Sequence, residues 1–247
     1  CYTLQENYKL AIADFTQAIE LHPNDAIFYK NKGDCYKLQE NYELAIANFT
    51  QAIEIDASNY LSYDRRGFCY LKTEKYDLAV TDYTQAIELH SNDALLYKNR
   101  GESYRLQESY SLAITDFTKA IEIDTCDYLS YDRRGSCYFK TETYDLAVID
   151  FTQAIELHPN DTELYNNRGE CYKLQESYEL AITDFTKAIE IDASDYVSYD
   201  RRGFCYKSQK NYELALSDYT KLIEFYNSSN KGVMIEFFEV QYYYIQR

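Results

Sequence analysis

Seven cysteines and three histidines are the residues from which this chain could build a metal centre or a nucleophile. Their spacing argues against both. Cys1, Cys35, Cys69, Cys137, Cys171 and Cys205 share one register of a fixed interval, and Ser103 fills the remaining place. Sites recurring at that interval are one structural layer apart, about 10 Å. A disulfide needs Cα atoms within about 7 Å. Metal ligation needs Cys and His to converge, and His22, His90 and His158 stand two such intervals apart. The cysteines therefore read as small buried hydrophobes. Reduced thiols point to a cytoplasmic setting, with the nucleus as the alternative. The chain has no HExxH, no phosphate-cradling glycine loop and no nucleophile of matching repeat position beside its histidines. The many Asp and Glu pairs read as solvated helix faces. The expectation is a protein that is not an enzyme, with no cofactor and no metal.

Charge narrows the partners. The 247 residues carry a formal net charge of −16. Phosphate backbones are bound by Lys and Arg, and anionic membrane surfaces attract basic segments, so neither nucleic acid nor lipid is expected. A basic or mixed protein partner stays open. No apolar run approaches the length that a membrane-spanning helix needs, which argues against membrane insertion, and there is no signal peptide. The chain opens at Cys1, part-way into a repeat, and reads as a fragment.

The elements that position these residues follow a strict period. Gly33, Gly67, Gly101, Gly135, Gly169 and Gly203 stand at that same constant interval. Counted from each glycine, tyrosine stands at −4, +3 and +9, alanine at +12, Phe or Tyr at +16, and alanine at +19 except for Leu222. This order resembles the tetratricopeptide repeat family over residues 1 to about 229. Two features depart from the family pattern. Its closing proline survives only as Pro23 and Pro159, and Lys or Arg replaces the leucine before the glycine.

The resemblance implies an all-α, right-handed superhelical solenoid of stacked antiparallel helix pairs. The boundaries are a partial repeat 1–25, whole repeats 26–59, 60–93, 94–127, 128–161, 162–195 and 196–229, and a segment 230–247 that caps the solenoid or docks another chain. Helical periodicity places the two helices of repeat 162–195 at 163–175 and 178–191. Leu180, Ala181, Phe185, Ala188 and Ile189 form the expected apolar stripe of the second. The repeats alternate between a YKNRG kind and a SYDRRG kind. Duplication of a two-repeat unit explains this, and a ligand with matching periodicity is the sharper alternative.

In the family, first-helix residues line a peptide groove, at −6, −3, −2, +1, +4 and +5 from the glycine. Carried over, the first kind of repeat supplies Lys30 and Asn31, then Lys98, Asn99 and Arg105, then Asn167 and Lys173. The second kind supplies Arg65, Phe68, Leu71 and Lys72, then Arg133, Phe139 and Lys140, then Arg201 and Phe204. Phe68, Phe139 and Phe204 are the expected exposed anchors of a mixed apolar and charged peptide, because aromatic and Arg side chains anchor interfaces. Chaperone-binding members clamp a C-terminal carboxylate. Here aspartates stand where that clamp needs lysine, so it is not expected. The resemblance thus implies a protein-interaction scaffold. The alternatives are a structural subunit of a larger assembly and the repeat module of a longer protein.

One covariation is internal to the chain. Five repeats carry Arg before the glycine (Arg66, Arg100, Arg134, Arg168, Arg202) and Asp fifteen places after it (Asp82, Asp116, Asp150, Asp184, Asp218). The repeat with Lys32 has Asn48. A structural Arg–Asp pair inside each of the five repeats is expected.

Overall fold

The computed structural model describes residues 8–228. Residues 1–7 and 229–247, and with them Cys1 and the expected cap or docking segment, lie outside it. The described residues form thirteen α-helices: α1 (Tyr8–Leu21), α2 (Ala26–Leu38), α3 (Tyr42–Ile55), α4 (Tyr60–Lys72), α5 (Tyr76–Leu89), α6 (Ala94–Leu106), α7 (Tyr110–Ile123), α8 (Tyr128–Lys140), α9 (Tyr144–Leu157), α10 (Thr162–Leu174), α11 (Tyr178–Ile191), α12 (Tyr196–Ser208) and α13 (Tyr212–Ser228). They divide into two compact units, the first ending at Thr125 and the second beginning at Cys126. In the first, α1 precedes the pairs α2–α3, α4–α5 and α6–α7. The second holds α8–α9, α10–α11 and α12–α13. Within each unit the two helices of a repeat pack together, and each second helix packs on the first helix of the next repeat. Each unit is a short stack of antiparallel helix pairs, as a solenoid requires.

Local chemistry sets the helix ends. Asp25, Asn59, Asp93, Asp161 and Asp195 each accept the backbone N–H two places on, capping α2, α4, α6, α10 and α12. The cap at Asp161 makes Thr162 the first helical residue, so α10 starts one place before its periodicity suggests. At the other end Glu176 has φ 58°. Glu40, Glu74, Glu108 and Glu142 have the same left-handed backbone, as does Lys210. A side chain in that region costs about 1–2 kcal/mol. The turn is held nonetheless by bonds such as Ser177 N–H to the Tyr172 carbonyl at 2.8 Å, and by the helix pair on either side.

The core lies between the second helix of each repeat, its partner and the first helix of the next repeat. Ala181, Phe185 and Cys205 are fully buried together, with Tyr172, Tyr178 and Ile182 against them. A Cβ on Gly169 would stand 2.8 Å from Phe185 Cε1. Glycine is there because the aromatic ring occupies the space of a side chain. Burial pushes the thiols of Cys69, Cys171 and Cys205 up to about 12; all three cysteines are free. One expectation is corrected. Leu180 is 51 % exposed. The buried line of α11 runs through Ala181, Phe185 and Ala188, and Leu180, next to it in the chain, turns outward.

Candidate functional site

The groove positions lie on the first helices of the repeats. In the first unit their charges meet around Asp34. Lys30 Nζ lies 3.4 Å from Asp34 Oδ2, and Lys37 Nζ and Arg65 Nε lie 3.5 Å from Oδ1. Lys30 also donates to Asn31 Oδ1 at 2.8 Å. The Phe68 ring sits between the ammonium groups of Lys37, at 5.6 Å, and Lys72, at 5.5 Å. Arg105 forks onto Glu102 with both bonds at 2.7 Å. Lys98 and Asn99 are half-buried, and Leu71 packs against the Tyr83 core.

The second unit repeats the arrangement. Glu170 holds Lys173 at 2.6 Å and Arg201 at 3.4 Å, and Lys173 lies 5.3 Å over the Phe204 ring. Arg133 stands 3.7 Å from Asp132. Asn167 is half-buried and Lys140 is exposed. Asn166, which stands where Lys30 and Lys98 stand in their repeats, is buried. It donates to Asp195 at 2.6 Å and accepts from Ser198 Oγ at 2.7 Å, joining α10 to α12.

The anchors differ from expectation. Phe204 is exposed, at 46 %. Phe68 is half-buried between its lysines, and Phe139 is half-buried against the edge of Tyr144, with ring centroids 5.7 Å apart. Phe139 stands at +4 rather than +1, and from there it packs on the core of its own repeat.

The Arg–Asp pairs form in all five repeats. Each guanidinium forks onto its aspartate: Arg66–Asp82, Arg100–Asp116, Arg134–Asp150, Arg168–Asp184 and Arg202–Asp218 have Nε and Nη2 bonds of 2.7–2.9 Å. Burial works against the charge on Arg168; the bond and charge of Asp184 outweigh it and hold its proton more tightly than usual. The faces of Tyr165 and Tyr199 lie 5.9 and 5.6 Å from the guanidinium carbons of Arg168 and Arg202. A further partner was not anticipated. Nη1 of Arg66, Arg100, Arg168 and Arg202 donates at 3.0 Å to Thr50, Thr84, Thr152 and Thr186 of the preceding repeat. The pair therefore also stitches neighbouring repeats. Threonine stands at +17 in every repeat, so no covariation marks the contact.

Tetratricopeptide repeat family models match residues 26–59 and 162–195, 70–125, and 128–161 with 196–228. The chain belongs to the tetratricopeptide repeat family. A search of the curated proteins finds no match. Among solved structures, YrrB, described as a TPR protein with an unusual peptide-binding site, is 27 % identical. The match covers 74 % of this chain and 95 % of YrrB, with a TM-score of 0.67. The C-terminal part of a TPR repeat-containing protein from Cytophaga hutchinsonii aligns over 91 % of this chain and 92 % of its own, at 20 % identity and TM-score 0.79. A chain of the APC/C hetero-tetramer Cut9–Hcn1 is 16 % identical over 95 % of this chain and 46 % of its own, with TM-score 0.61. The last two share the fold alone.

In this tetratricopeptide repeat protein the first-helix positions also carry acids, of which Asp64 and Asp132 are buried and Asp200 is exposed. Asp132 is 7 % exposed and its Oδ1 has no hydrogen-bond partner. Burial raises its carboxyl to about 6, against the pull of Arg133. Asp64 and Asp200 are raised for the same first reason. The sign follows from linkage: the folded state binds a proton that the unfolded chain releases at an ordinary aspartate pKa. Asp132 therefore lowers stability as pH rises from about 4 through 6. Asp132→Asn should be more stable than the parent by roughly 3 kcal/mol at pH 7 and close to it near pH 4. Urea titrations at both pH values check this; a constant difference across the range would remove Asp132 as its source. No helix among the described residues is long and apolar enough to cross a membrane.

Proposed function

We propose that this protein is a non-catalytic scaffold whose first-helix face holds a segment of another protein, and that in the first unit this segment is acidic with an aromatic or aliphatic side chain. One observation carries the reading. The chain is strongly acidic overall, yet at the groove positions of the first unit Lys30, Lys37, Arg65, Lys72, Lys98 and Arg105 outnumber Asp34, Asp64 and Glu102. The excess negative charge lies on other faces. Asp34 is already shared by three cations, and Asp64 is buried beside Arg65 at 3.6 Å, so neither confronts an incoming carboxylate as a bare charge. Phe68 offers apolar surface between two lysines. The peptide-binding description of YrrB supports the same use of the fold, and the Cut9–Hcn1 likeness is the reason to keep a structural subunit as the second reading.

The test is fluorescence anisotropy of the intact chain with a labelled peptide of alternating Glu and Phe, once with a free C-terminus and once amidated. The expected result is equal binding of both, weakening with salt, and at least tenfold loss in Lys37→Glu with Arg65→Glu. Binding that needs the free C-terminus would instead restore a carboxylate clamp. Binding unchanged in the double variant would overturn the site. Sedimentation separates the second reading, because a structural subunit self-associates and a scaffold is monomeric.

A further inference from the structure

The second helices carry a feature that the groove does not use. Leu44, Leu78 and Leu112 in the first unit and Leu146, Leu180 and Leu214 in the second stand at one place, +11 from the repeat glycine. Each is 43–51 % exposed, although the alanine that follows it is fully buried. Leu10 occupies the same place on α1 and is 46 % exposed. A single exposed leucine needs no explanation. The same exposed leucine on every described second helix makes a row in each unit.

The row has shape and charge. Beside Leu78 lies an open notch of about 350 Å³, walled by Glu74, Lys75, Tyr76, Asp77 and Gln107. Its twin beside Leu146 is about 420 Å³, walled by Glu142, Tyr144, Asp145 and Gln175. A glutamine of the following repeat ties each wall in place: Gln107 donates to Asp77 and Gln175 to Asp145, both at 2.6 Å. The carboxylates of Glu40, Glu43, Glu74, Asp77 and Glu108 rim the row in the first unit, where Lys9 and Lys75 are the basic residues among them. Glu40, Glu74 and Glu108 are the turn residues with left-handed backbone, so these acids are carried on a fixed turn. In the second unit Glu142, Asp145, Glu176, Glu179 and Glu213 stand in the same places, and Lys210 takes the turn position of the last repeat.

We propose that this leucine row is a second interaction surface, occupied by a cationic amphipathic segment of a partner protein. Its apolar side chains cover the leucines and its Lys or Arg side chains reach the rim carboxylates. Charge complementarity selects this occupant. A second copy would set one acidic rim against another, and an anionic membrane would be repelled in the same way. The surface is independent of the groove, since every residue it uses lies on the second helices or the turns and glutamines beside them. Covering part-exposed leucine is favourable at about 25 cal/mol per Å². The carboxylates supply steering and partner choice more than affinity.

The test uses the intact chain and a labelled, helix-forming peptide of about five turns, with Leu on one face and Lys on the other, against a control with Glu for Lys. Anisotropy should show the Lys peptide binding with salt-sensitive affinity. Ser in place of all six leucines should weaken that binding at least tenfold with unchanged circular dichroism, and Lys37→Glu with Arg65→Glu should leave it intact. Because the six-site variant removes apolar groups, a second variant, Glu74→Gln with Glu108→Gln, touches no packing and should weaken binding by about threefold with a shallower salt dependence. Failure of the Lys peptide to bind, binding unaffected by both variants, or loss in the groove variant would overturn the proposal.

Discussion

Arg168→Ala is expected to lower the unfolding free energy by about 3–5 kcal/mol, because it strands a carboxylate in a buried place. Asp184 is 3 % exposed and takes both of its short bonds from Arg168. The same substitution removes the link to Thr152 of the preceding repeat. Arg168→Ala with Asp184→Ala should cost clearly less than the sum of the single changes, with a coupling of about 1–3 kcal/mol. Arg168→Lys should fall between parent and alanine, since an ammonium cannot reproduce the fork to Asp184 and the third bond to Thr152. Urea unfolding followed by circular dichroism reads all four chains. A loss below about 1 kcal/mol in Arg168→Ala, or simple additivity, would mean that the pair does not hold its repeat together. The same experiment at Arg202 and Asp218 should give a similar result, as the geometry is the same.

Phe185→Ala should also cost about 3–5 kcal/mol, the usual range for emptying a fully buried aromatic site. Its partner is the glycine across the helix pair. Gly169→Ala alone should destabilise by about 1–3 kcal/mol, even though alanine is the better helix former by about 1 kcal/mol. The added methyl would stand 2.8 Å from the ring. In the Phe185→Ala background the ring is gone, so Gly169→Ala should become stabilising. That reversal of sign is the decisive outcome. If Gly169→Ala destabilises equally in both backgrounds, the glycine is kept for some reason other than the ring. Gly33, facing Phe49 at 2.7 Å, should behave alike.

Much of the fold was legible because its determinants are local and repeated. The spacing of Gly169, Ala181, Phe185 and Ala188 placed both helices of a repeat almost to the residue, and repeated copies averaged away the ambiguity of any single one. The Arg–Asp pairs were legible for a related reason: Lys32 and Asn48 change together where the other repeats keep Arg and Asp. The Thr50–Arg66 contact and its equivalents were missed because threonine never varies, so no covariation marked it. Leu180 was misplaced because periodicity ranks residues by type, while burial depends on which flank of α11 the neighbouring helices cover.

By itself, then, the amino-acid sequence determined the helices and their pairing within each repeat. These follow from hydrophobic period, glycine placement and turn chemistry, all local to one repeat. The tertiary structure decided which charges meet. It put Lys30, Lys37 and Arg65 around one carboxylate, set Phe68 near two lysines while packing Phe139 against the core, and left the leucine before the buried alanine of every described second helix in solvent. Side-chain pairing between repeats depends on how one layer is laid over the next, a geometry that no run of residues inside a single repeat contains.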